Sequence, residues 1–173
     1  IAAGADHSVI VGGNNNDITG TGDDNTIGGG DANQITSTAD SNVIAGGSAN
    51  VLSAAATNAT ISGGTLNTTG SNFAVVGGGY SNDVSAASGV IAGGYNNSVA
   101  AVYSFIGGGQ NCSIILGADH SVIVGGNNND ITGTGDDCII GGGNSNQNEE
   151  NEYYAVHTGV RRGAGGGGDD PGG

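Results

Sequence analysis

Positive charge is nearly missing from this chain. It has no lysine and only Arg161 and Arg162 against sixteen acidic residues, a formal net charge of −14. That balance excludes phosphate-backbone and other nucleic-acid binding, which needs a basic footprint. Tryptophan and methionine are absent, and two Phe and five Tyr among 173 residues cannot fill a thick aromatic core. No apolar run approaches the roughly 18–20 residues of a spanning helix, which argues against membrane insertion in that form. Two cysteines, Cys112 and Cys138, make neither a disulfide framework nor a zinc pattern and read as free, buried thiols. The start at Ile1, with no leader-like stretch, reads as a processed piece or a fragment.

What remains is 38 glycines with abundant Asn, Ser, Thr and Ala, and with Val and Ile as the main apolar residues. Val and Ile favour strands, while Gly and Asn favour turns. Residues 3–30 recur at 116–143 with three differences: Ala3 against Leu116, Asn25 against Cys138, and Thr26 against Ile139. The copy is part of a finer repeat. Aligned on a Gly pair, nine segments run from "VIVGGNNNDI" to "IIGGGNSNQN", the first Gly falling at 12, 29, 46, 63, 78, 93, 108, 125 and 142. Three central steps are 15 residues and the rest 17, so the copy lies seven whole repeats downstream, in register. Such a unit is too short for two helices and a turn and suits one coil of a β-solenoid.

The expectation is therefore an all-β chain forming a single-stack parallel β-solenoid of about nine rungs, each of 15–17 residues, over 1–148. At a spacing of about 4.8 Å the rod would be roughly 40 Å long. Asn148 takes an interior position and the rule fails after it, so 149–173, polar and then Gly-rich, reads as a cap or linker, with "YYAVHTGVRR" able to add one strand.

Each column of the alignment has a physical task. Ile10, Ile27, Ile44, Ile61, Val76, Ile91, Ile106, Ile123 and Ile140 should fill the lumen, and the Gly pair should turn a corner where a Cβ would clash. Four places after the first Gly stand Asn16, Asn33, Asn50, Asn67, Asn82, Asn97, Asn129 and Asn146, with Cys112 replacing Asn once. This column reads as a structural ladder of side chains that tolerate left-handed backbone. The residues directly before the lumen column, among them Val9, Val43, Val75, Val90, Phe105 and Val122, must point the opposite way by strand alternation. A thin coil has one inside, so this stripe needs a cover. Parallel association of identical rods supplies it, cyclic symmetry favours three chains, and these residues become the expected trimer contacts.

At these residues the pattern resembles the left-handed parallel β-roll of YadA-like trimeric adhesin heads, and the "VIAGGxxN" repeats of bacterial surface, phage-tail and viral fibres. The resemblance covers about residues 3–148. It implies a homotrimeric fibre segment, extracellular or on a virion or cell surface, that joins neighbouring fibre modules and attaches to a host glycan or receptor. Its 17-residue rungs and two cysteines depart from the usual adhesin head.

Other chemistry is weaker. "ADHS" at 5–8 and 118–121 juxtaposes Asp, His and Ser, but triads assemble in space and adjacent residues seldom converge, so no enzyme is expected. "GTGDD" makes Asp23, Asp24, Asp136 and Asp137 weak calcium candidates, without the recurrence of a true calcium roll. Broken Thr-x-Thr pairs leave an ice-binding module as the other alternative. Tyr80, Tyr95 and Tyr103 are candidate ligand-binding aromatics able to stack on a sugar, the first two sharing a column. No cofactor is expected.

Overall fold

A computed structural model describes residues 1–53 and 56–149, together with the backbone of 156–157. The described residues contain no helix. Every strand is two residues long and every pairing is parallel, which makes the chain a parallel β-solenoid. The first sheet stacks Val9–Ile10, Thr26–Ile27, Val43–Ile44, Thr60–Ile61, Val75–Val76, Val90–Ile91, Phe105–Ile106, Val122–Ile123, Ile139–Ile140 and Val156–His157. The second stacks Asp17–Ile18, Gln34–Ile35, Val51–Leu52, Thr68–Thr69, Asp83–Val84, Ser98–Val99, Ser113–Ile114, Asp130–Ile131 and Gln147–Asn148. Between them a line of single bridges runs from Asn14 through Asp31, Ser48, Thr65, Tyr80, Tyr95, Gln110 and Asn127 to Asn144. Among the described residues the last strand of the second sheet is Gln147–Asn148. The segment read as a cap or linker lies outside the described residues, apart from Glu149 and the strand Val156–His157, which pairs with Ile139–Ile140.

The register is one rung per repeat, Ile10 beside Ile27 and Ile91 beside Ile106. Within strands the second residue points inward. From Ile27 to Ile140 the lumen column is fully buried, as are Ile18, Ile35, Leu52 and their successors, while Ile10 in the first rung is only partly buried. Each fully buried Ile or Val contributes about 1.5–3 kcal/mol of apolar burial. Backbone N–H groups of one rung donate to carbonyls of the next, as Val9 does to Asn25 O at 2.8 Å and Val11 to Ile27 O at 3.0 Å.

Two corrections concern the corners. The second Gly of each pair sits at φ of +82° to +105° and from Gly13 to Gly126 lacks room for a side chain: a Cβ on Gly30 would lie 2.1 Å from Gly47 O. The first Gly is demanded by backbone conformation alone and in only some rungs, with φ of +130° to +157° at Gly29, Gly63, Gly78, Gly108 and Gly142. A Cβ on the first, at Gly12, Gly46 or Gly63, would meet nothing within 4 Å. The left-handed residues are not the ladder asparagines but the residues directly before them, such as Asn15, Ala32, Ala49 and Leu66. A second set precedes the first sheet: His7, Asp24, Ser41, Asn58, Phe73, Ser88, Tyr103, His120 and Asp137. That makes eighteen non-Gly residues with φ between 51° and 63°, two per rung. Left-handed backbone costs a non-Gly residue about 1–2 kcal/mol. It also aims an N–H back at the preceding rung, as in Asp24 N–H to Asp6 O at 3.0 Å and Ala32 N–H to Asn14 O at 2.9 Å.

Directly after each left-handed residue lies an inward position, so each coil has two inward polar columns. The Asn column is saturated. Asn50 Nδ2 donates to Gly46 O at 3.1 Å and Gly64 O at 3.0 Å, and its Oδ1 accepts Asn67 N–H at 3.0 Å. The other column, Ser8, Asn25, Asn42, Ala59, Ala74, Gly89, Ser104, Ser121 and Cys138, escaped the sequence reading because its residue type changes. There Ser8 Oγ accepts Asn25 N–H, Asn25 Oδ1 accepts Asn42 N–H, and Asn42 Oδ1 accepts Ala59 N–H, at 3.0–3.1 Å.

Candidate functional site

The rod offers two strand faces and two turning edges. Outward on the first sheet are two columns: Val9, Thr26, Val43, Thr60, Val75, Val90, Phe105, Val122 and Ile139, and beside them Val11, Gly28, Ala45, Ser62, Gly77, Ala92, Gly107, Val124 and Gly141. None of these eighteen positions carries a charge. In the single chain the expected contact residues are part-covered to exposed, Val9 at 47 % and Phe105 at 38 %, while Val43, Val75, Val90 and Val122 are half-buried. The outward column of the second sheet differs, being polar except at Val51 and punctuated by Asp17, Asp83 and Asp130. Burial raises the Asp83 and Asp130 carboxyls above their ordinary value, with the Ser113 backbone partly opposing this at Asp130.

The "ADHS" residues diverge. Ser8 Oγ faces inward as a ladder acceptor, while His7 projects into solvent 3.8 Å from Asp24. In the second copy Ser121 Oγ accepts Cys138 N–H, Asp119 Oδ1 accepts Val102 N–H, and His120 stacks on Tyr103. No nucleophile–base pair forms in either copy.

The acidic loop residues also have local tasks. Asp23 Oδ1 accepts Asp6 N–H at 2.8 Å, Asp40 Oδ1 accepts Asp23 N–H at 2.8 Å, and Asp136 Oδ1 accepts Asp119 N–H at 3.2 Å. Asp24 and Asp137 occupy left-handed corners. Among the described residues no group of three or more His, Cys, Asp or Glu side chains converges on a metal position. The Thr-x-Thr pairs at Thr19 and Thr36 fall on adjacent rungs, but the third is cut off from them by Ser53, Gly70, Ser85, Ala100 and Ile115 between Thr36 and Thr132. Thr36 and Thr132 hydroxyls donate to Leu52 O and Asn148 O.

Of the candidate aromatics, the fold joins two and separates the third. Tyr80 and Tyr95 stack along the bridge line, centroids 5.2 Å apart and planes within 6°. They turn ring faces onto each other, so the pair presents mainly edges and hydroxyls outward. Tyr103 lies on the other side of the first sheet, in the left-handed corner column, stacked on His120 at 5.3 Å. Phe73 and Ser88 share that column.

Both cysteines are buried and free. Each occupies a ladder position. Cys112 replaces a ladder Asn: its N–H donates to Asn97 Oδ1 at 2.9 Å, and its sulfur, not an amide oxygen, meets Asn129 N–H. Burial chiefly pushes the Cys112 thiol up. Cys138 stands where the near-copy has Asn25. No family model matches the sequence, and no curated protein matches it.

Proposed function

We propose that this chain is a structural segment of an extended homotrimeric fibre, a left-handed β-roll on a virion or cell surface that holds attachment modules away from the body that bears them. The observation that carries the reading is the first-sheet face, two columns and nine rungs without a charge on a chain of net charge −14. The acids that give the chain its net charge all lie at other positions, so like-charge repulsion does not oppose pairing of this face with a copy of itself. Identical rods packed in parallel about a three-fold axis would bury Val9, Val43, Val75, Val90, Phe105 and Val122 against equivalent residues. The repeat adds support: each rung stacks on its neighbours alone, so length can grow without a new core. The role is mechanical projection, with three linked copies of any weak surface site acting together.

Light scattering of the purified chain tests it. The expected molar mass is three times 16.5 kDa. Val75→Asp combined with Val90→Asp should yield folded monomers, because like carboxylates would then face one another across the contact. A wild-type chain that remains monomeric at high micromolar concentration overturns the reading.

A further inference from the structure

We propose that the gap between Phe73 and Tyr103 is a binding slot for one pyranose ring of a neutral glycan. The proposal deepens the attachment part of the fibre reading, though the slot is built within one chain. Phe73, Ser88 and Tyr103 stand in one column on three successive rungs, with φ of 57°, 56° and 56°. Their N–H groups make the same backward bond, to Thr57, Asn72 and Ala87 carbonyls, so their Cβ atoms leave the backbone in parallel. Phe73 is 58 % exposed and Tyr103 63 %. Tyr103 presses one face on His120, with 10° between planes, which leaves its other face directed along the rod toward Ser88 and Phe73.

Ser88 is too short to fill the space between them. Two rungs place the aromatic positions about 9.6 Å apart. Contact on both faces of a flat ring uses about 7–8 Å, so a flat ring would rattle while a puckered ring with axial substituents fits. The Ser88 hydroxyl at the floor and the Tyr103 phenol can each donate and accept, which matches a ring bearing several hydroxyls. Two apolar walls with a few polar groups are the usual composition of small-ligand sites. A net charge of −14 disfavours sulfated or sialylated sugars and favours neutral ones. The same column elsewhere holds His7, Asp24, Ser41 and Asn58, so no other rung pair repeats the slot.

The test is saturation-transfer NMR on the full chain, with methyl glucoside, methyl galactoside, methyl mannoside and methyl N-acetylglucosaminide as probes and sialyllactose as the charged comparator. Transfer to ring C–H protons of at least one neutral probe is expected, with affinity near 1 mM and at least fivefold weaker in Ser88→Tyr and Phe73→Ala. Ser88→Tyr should fold, because tyrosine already occupies the same left-handed position at Tyr103. Tyr80→Ala should leave transfer unchanged. Absence of transfer from every neutral probe, or transfer that survives Ser88→Tyr, overturns the proposal. If Ser88→Tyr instead changes the molar mass, the slot is a contact between copies and the glycan assignment falls. Wild-type mass on the same sample keeps the fibre reading separate from either result.

Discussion

The two inward polar columns of this rod perform the same geometric task and obey different rules. Along the Gly corner the column is Asn in eight of nine rungs, while the opposite column wanders through Ser, Asn, Ala, Gly and Cys. The loop before each position explains the difference. At the Gly corner every rung has the same connection, so every ladder N–H needs an acceptor from the preceding rung. At the other corner the connection is five residues in the 17-residue rungs and three in the 15-residue ones. Where the loop is short its own backbone serves: Ala74 N–H donates to Ser71 O and Gly89 N–H to Ala86 O. Where it is long the N–H is left to a side chain of the rung before. Ser8, Asn25, Asn42, Ser104 and Ser121 all precede five-residue loops, while Ala59, Ala74 and Gly89 precede three-residue ones. Ala59 marks the seam: its N–H donates to Asn42 Oδ1, while the next N–H, that of Ala74, is taken by its own loop at Ser71 O.

The largest break in this comparison should come from the uniform column. Asn50→Ala removes the acceptor for Asn67 N–H and the donor to Gly46 and Gly64 carbonyls, and a loss of about 3–5 kcal/mol is expected in a denaturant titration. Asn42→Ala should cost somewhat less, about 2–4 kcal/mol, through the orphaned Ala59 N–H and the lost donor to the Ala39 and Ala56 carbonyls, because it lacks the further bond that Asn50 Nδ2 makes to Asn33 Oδ1. Its counterpart Ala59→Asn should gain nothing, because the next rung supplies its own acceptor.

A sharper test couples loop length to residue type. Removing Thr38 and Ala39 shortens the loop before Asn42 to three residues, after which the cost of Asn25→Ala should fall by about 1–2 kcal/mol in a double-mutant cycle, leaving the cost of the lost Asn25 donor to Gly22 O. An unchanged cost in the shortened background would refute the rule. Smaller again is Cys112→Asn, which restores an oxygen acceptor for Asn129 N–H and a donor toward Gly126 O. A gain of about 1 kcal/mol is expected by thermal melting.

The smallest effect concerns the second-sheet face. Asp83 and Asp130 have folded values raised by burial, so the folded state holds their protons more tightly than the unfolded chain. Their contribution is therefore least favourable at neutral pH, improves as pH falls through the raised values, and is fully present only below the ordinary value of 3.8. Asp83→Asn should flatten that part of the melting-temperature profile and raise stability slightly at pH 7. A steeper profile in the variant would contradict the burial account.

Several features were legible because a stacked coil turns chain spacing directly into space. A residue 15 or 17 places on is the next one up the rod, so the lumen isoleucines, the Asn ladder and the outward valines could be assigned from columns alone. The slot residues were harder to see. Phe73, Ser88 and Tyr103 align five places before the first Gly, yet they share no chemistry, and only their common φ reveals the column.

Spacing and residue type alone determined the register and the lumen, because every contact that fixes them joins equivalent positions of successive repeats. Only the folded coil decided which Gly lacks room for a Cβ, which residues turn left-handed, and that Tyr103 stands apart from Tyr80 and Tyr95. Those outcomes depend on how sharply the chain bends within one rung. That bend joins positions that are not equivalent, so no column of a repeat alignment records it.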